Sequence, residues 1–141
     1  MREILFRGKS VNGYWIYGNL NFYPDINRTF IRKNNKELLP SFQTSLEEEV
    51  NKNSIGQYTG LTDKNGKKIF EGDIVDVEYK TDYVGVAKER IGRFEVVFHN
   101  GCFMKDKIEG CGLYHFINTD EHTVIGNIHD NPELLKGREG K

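Results

Sequence analysis

Proline is scarce in this chain and cysteine scarcer, with three of the first and two of the second among 141 residues. Two cysteines, Cys102 and Cys111, cannot form a disulfide framework. The fold must rest on a packed core, and the thiols suit a reducing compartment. Three prolines against 15 glycines exclude a proline-rich disordered chain and point to a β protein with many turns. No apolar run approaches the roughly 20 residues of a membrane-spanning helix. The opening MREILFRGKS carries charge at Arg2, Glu3, Arg7 and Lys9, where a secretory leader would have an apolar centre. The expectation is a cytoplasmic protein without a membrane partner. Also missing are a glycine-rich phosphate loop followed by Lys-Thr or Lys-Ser, a nucleophile elbow around any serine, long linkers and tandem repeats. A formal net charge of -1 rules out a whole-molecule field that would draw in nucleic acid. The charge is unevenly spread: residues 1–70 carry +4 and residues 71–141 carry -5. That pattern leaves room for a local basic patch or a charged head-to-tail contact.

What the chain does have is aromatics and Asn-Gly pairs. Nine phenylalanines and seven tyrosines supply large apolar areas for a small core. Asn12-Gly13, Asn65-Gly66 and Asn100-Gly101 each sit between apolar residues, and Asn-Gly offers the two positive-φ positions of a type I′ hairpin turn. Alternation in FEVVF puts Phe94, Val96 and Phe98 on one strand face. In DIVDVEY it groups Val75, Val77 and Tyr79, with Asp76 and Glu78 opposite. Thr29–Lys33 and Thr123–Ile128 are shorter expected strands, and Pro24-Asp25 sets a bend between FY and RTF. YWIYG reads as core strand, with Trp15 or a tyrosine able to anchor a partner. Two helices are expected: a short one within residues 40–53, where Ser45 and Glu48 have capping-box spacing, and one or two turns over Asp130–Lys136. In the latter Asn131 caps and Pro132 takes the first position. Residues 80–93 and 136–141 are expected to be flexible. The whole, 1–141, reads as one mainly β domain. Its antiparallel sheet is curved or closed, SH3-like or a pseudo-barrel, with a short C-terminal helix.

The stretch QYTGLTDKNGKKIFEGDIVDVEY, Gln57–Tyr79, is the most organised. Asn65-Gly66 makes a tight turn and Ile69 and Phe70 start a strand. Gly72 falls inside the run as a bend, and Asp73 is placed to hydrogen-bond the bent backbone. The glycines are too dispersed to cradle phosphate, and no helix start follows them. The stretch is a corner, not a ligand loop. Ile55–Val75, the opening MREILFRGK and the ending VIGNIHDNPELL (Val124–Leu135) together resemble the YopX family of phage and prophage proteins. That resemblance implies a mostly β, barrel-like fold and a phage or prophage origin in a bacterial host. It brings no catalytic residues with it.

Three constellations could carry chemistry. His99, Cys102, Cys111 and His115 are zinc-competent ligands in the order HxxC…CxxxH, with a short loop between the pairs. Arg28, Phe30, Arg32, Lys33 and Lys36 form a basic, aromatic stretch that could stack and hold a nucleic-acid strand. Glu71, Asp73, Asp76 and Glu78 are paired carboxylates, which more often mark a solvated sheet face than an acid–base site. His122 and His129 stand alone and read as structural or surface residues. The expected function is a non-enzymatic interaction module that binds a protein partner or itself, with no cofactor. A nucleic-acid-binding regulator is the first alternative and a zinc-binding module the second.

Overall fold

The computed structural model describes residues 2–33, 47–79 and 89–138. The chain packs as two compact units, Met1–Tyr58 and Thr59–Lys141, each built on antiparallel strand pairs.

The first unit is a meander. It comprises β1 (Phe6–Lys9), β2 (Trp15–Tyr23), β3 (Arg28–Lys33), β4 (Glu47–Val50), a 3-10 turn at Lys52–Ser54 and the start of β5 (Gly56–Thr62). The spatial order is β4-β3-β2-β1-β5. Alternation in β2 and β3 buries Ile16 and Ile31, which pack with Val50 against Leu20 and Ile55. Gly8 lets β1 lie over this small core, because a Cβ there would come within 2.9 Å of the Val50 Cβ. At Gly18 a Cβ would sit 2.0 Å from the Arg32 carbonyl oxygen, so only glycine allows β3 to approach. Pro24-Asp25 does form the bend, in a four-residue loop closed by the Tyr23–Arg28 pair.

β4 replaces the helix expected within residues 40–53. Glu47, Glu48 and Glu49 favour a helix in isolation, yet each lies opposite β3 and finds a polar or cationic partner there or on β2. Tertiary pairing outweighs propensity. Residues 40–46 lie outside the described residues.

In the second unit the rest of β5 pairs with β6 (Lys68–Phe70), and Thr59 Oγ1 donates to the Ile69 carbonyl at 2.8 Å. There follow β7 (Asp73–Tyr79), β8 (Glu89–His99), β9 (Cys102–Lys107), β10 (Leu113–Tyr114) and β11 (Asp120–Asn127). They form an open sheet of order β10-β9-β8-β7-β11. Ile69, Val75, Val77, Phe94 and Val96 make its core, with Ile91, Phe116 and Val124 packed against them. Phe98 and Tyr79 follow the expected alternation but fall at strand ends, where both are exposed. Phe98 instead meets Phe103 edge-on at 5.2 Å.

The corner forms as the sequence implies, but it does not close a barrel. Gly72 has φ 91°, and the buried Asp73 carboxylate accepts from the Phe70 N–H at 2.7 Å. The corner ends β6 and starts β7 in a different sheet, so the strands form two open sheets. Asn100-Gly101 is the type I′ turn expected, with both φ positive. The other two Asn-Gly pairs differ. At each, only the glycine has positive φ, and Ser10 and Asp63 accept from Gly13 and Gly66 three residues on. These are type I turns followed by a glycine bulge.

The C-terminal helix is a single 3-10 turn, Pro132–Leu135. Asn131 does not cap it, because its side chain turns back to accept from the Asn127 N–H at 3.2 Å. Gly126 makes room for that side chain, since a Cβ would lie 2.5 Å from Asn131 Oδ1. Of the segments expected to be flexible, residues 89–93 belong to β8. Arg138 is tied to Glu95 at 2.6 Å. Residues 80–88 and 139–141 lie outside the described residues.

Candidate functional site

The basic stretch lies on β3, in the middle of the first unit's sheet. Strand period and register place Lys9, Arg7, Trp15, Tyr17, Tyr23, Arg28, Phe30 and Arg32 on one face, away from Ile16 and Ile31. Arg7 stacks over Trp15 at 4.7 Å. Arg28 lies 5.3 Å from the Phe30 ring, which meets Tyr23 edge-on. The cations do not stand alone. Glu49 takes Arg28 in a two-pronged pair at 2.6 and 2.7 Å, and Glu48 takes Lys33 at 2.8 Å on the other face. Glu47 accepts from Tyr23 and Asn21, and Tyr14 donates to Glu48. The Arg28 bonds hold the Glu49 carboxyl below its ordinary range, and Lys33 and then Tyr14 do the same for Glu48. Lys36 lies outside the described residues. This face is therefore rich in aromatics, with Tyr17 47% exposed and Arg7 buried, and its Arg28 is held by Glu49.

The zinc quartet is not gathered. His99 and Cys102 are paired across the Asn100-Gly101 turn, where the Cys102 thiol points to the His99 carbonyl at 3.5 Å. Cys111 is exposed between Gly110 and Gly112, beyond the far end of β9. Among the described residues no three His, Cys, Asp or Glu side chains are arranged to hold a metal. The carboxylates also separate. Asp73 serves the corner, and Asp76 pairs with Arg90 at 3.0 Å.

The structure assembles a different cluster in the second unit. Lys105 on β9 is 1% exposed. Its ammonium donates to Asp120 Oδ2 at 2.9 Å and to His122 Nε2 at 3.0 Å, both on β11. Phe94 and Phe116 lie 5.5 and 5.3 Å from it, and the Phe116 ring meets the His122 ring at 5.0 Å, tilted by 42°. Burial, and then the Lys105 charge, push His122 down to about 4, with Asp120 opposing. The imidazole is neutral at physiological pH, accepting at Nε2 and carrying its proton on Nδ1. Asp120 and His122 also line a cavity of about 220 Å³ walled by Leu61, Ile69, Phe116 and Ile117, with Thr62 and Asn118 at its polar side.

Asp63 holds the neighbouring backbone. Oδ1 accepts from the Asn65 and Lys67 N–H groups, and Oδ2 accepts from Val124 N–H at 3.0 Å. The Lys64 N–H adds a bond to the His122 carbonyl at 2.9 Å. The Asp63–Gly66 turn thus occupies the edge of β11 that β7 leaves open. Burial pushes the Asp63 carboxyl up, but the bonds from Val124, Lys67 and Asn65 outweigh it and hold the group low.

Sequence reasoning missed this cluster. Nothing in the sequence singles out Lys105, and His122 reads as isolated. Lys105 and Asp120 are 15 residues apart, and only the sheet brings them together.

A family model described as YopX protein matches residues 6–136. The chain belongs to the YopX family. The match takes in the Ile55–Val75 corner and the Val124–Leu135 ending. Among solved structures, this YopX chain is similar to the crystal structure of protein EF1440 from Enterococcus faecalis. The two share 28% identity and a TM-score of 0.54, over 96% of this chain and 100% of that one. No curated protein matches the chain. Among the described residues of this YopX protein, no helix is long and apolar enough to cross a membrane.

Proposed function

We propose that this YopX protein is a phage or prophage accessory protein of the bacterial cytoplasm that acts by binding a protein partner, not by catalysis. The carrying observation is the face of the first sheet. Glu49 on β4 takes up Arg28 and Glu47 accepts from Tyr23, and Trp15, Tyr17, Tyr23 and Phe30 supply the aromatic content of the face. Tyrosine, tryptophan and arginine are the side chains enriched where protein partners bury most of their energy. A phosphate backbone would have to compete with Glu49 for Arg28, which weakens the case for nucleic acid.

The test is affinity capture of the tagged protein from host cells during prophage induction, with and without nuclease. A discrete protein retained after nuclease, and lost on Tyr17→Asp, supports this reading. Tyr17→Asp leaves the Ile16–Ile31–Val50 core untouched, so the variant keeps its fold. Captured material that vanishes with nuclease, and whose binding falls steeply with salt, transfers the face to nucleic acid.

A further inference from the structure

We propose that the cavity beside Lys105 is a binding site for a small single-ring heterocycle with an amide or amidine edge, the chemistry of a pyrimidine base. Two unused polar groups of opposite kind border one cavity. Lys105 occupies only Asp120 Oδ2, and no described residue donates to Oδ1. His122 spends Nε2 on Lys105, and its Nδ1 proton has no acceptor among the described residues. A carboxylate and an imidazole N–H, on residues two apart on β11 that both line the cavity, are complementary to a ligand edge that has an N–H next to a carbonyl or ring nitrogen.

The rest of the site fits a flat ring. Phe116 and Ile117 supply apolar walls, and Asn118 offers a further donor and acceptor. The volume of about 220 Å³ exceeds the roughly 150 Å³ of an engineered apolar cavity that takes up benzene, leaving room for ring substituents. The lining mixes polar and apolar surface in near-equal measure, and convergent polar groups of this kind are what fix a small ligand's orientation. Lys105 contributes by positioning. Its buried ammonium fixes the carboxylate and the histidine tautomer, so that both unused groups are set before a ligand arrives. This site is independent of the protein-binding face on the first unit.

The experiment is a titration of the full chain, followed by amide chemical shifts, with 2-pyridone and separately with N-methyl-2-pyridone. The methyl group takes the place of the N–H on the edge that would bind, so this comparison tests recognition through that edge in the unaltered protein. The expected result is shifts centred on residues 116–122 with 2-pyridone at millimolar concentration, and binding at least roughly tenfold weaker for the methylated compound. His122→Phe, which keeps the ring and removes the donor, should weaken 2-pyridone to a similar extent. The absence of shifts at residues 116–122, or equal binding of both compounds, would overturn the proposal.

Discussion

Lys105 shows how one buried charge organises its surroundings. Its ammonium is sequestered with Asp120, whose side chain is 10% exposed. Removing one partner leaves an uncompensated charge out of water, whereas removing both need not. Lys105→Met should cost about 3–5 kcal/mol in urea unfolding, and Lys105→Met combined with Asp120→Leu should recover most of that loss. His122 gives a second expectation. Its folded value of about 4 lies below the ordinary 6.5, so between those values the unfolded chain binds the proton that the folded one refuses. Stability is full above the upper value and declines as pH falls toward the lower one. The melting temperature should drop over that window, and His122→Gln, which does not titrate, should flatten the drop. The Asp63 contribution is lost only further down, below its ordinary 3.8. At this scale the alternation of apolar residues made Val75, Val77, Phe94 and Val96 legible as core. Lys105 and His122 were not legible, because nothing local to CFMKDK or DEHTV signals that a sheet will bury them against each other.

Among the elements, turns were the most legible features and their detail the least. Each Asn-Gly pair makes a hairpin, yet in two of the three the residue two places before the asparagine decides its form. Ser10 and Asp63 accept backbone bonds and draw those loops into type I turns with a bulge. Asp63 does more than shape its loop, since it also holds Val124. Asp63→Ala should cost about 2–3 kcal/mol by orphaning buried N–H groups. Hydrogen exchange at the Val124 amide should quicken by more than exchange in β8. Gly18→Ala should be at least as damaging, because the new Cβ meets backbone at 2.0 Å that a rotamer change cannot move. β4 was illegible for a plain reason. Glu-Glu-Glu-Val says helix until Arg28 and Lys33 are set opposite, and that pairing is tertiary.

For the whole molecule, the family was legible at both ends and in the middle of the chain, and the β class with it. The division into two open sheets was not, because a glycine corner looks the same whether a strand bends back on its own sheet or passes into another. The basic stretch 28–36 was legible only in part, because the glutamates of β4 that the fold sets beside Arg28 and Lys33 lie outside it in sequence. Since β11 covers one edge of β7 over Asp73–Tyr79, a chain ending at Thr119 should lose solubility. Light scattering of the purified fragment against the full chain checks this.

The Asp63–Val124 bond spans 61 residues, and that span matters while the protein is being made. A ribosome releases β7 and the Asp63 turn well before it reaches β11, and until then both lack the strand that completes them. For that interval the nascent second unit has a bare apolar edge at Val75 and Val77, open to other polysomes or to a chaperone. The same carboxylate that clamps the finished fold is then a catch waiting for its strand, and the arrival of β11 decides when it closes.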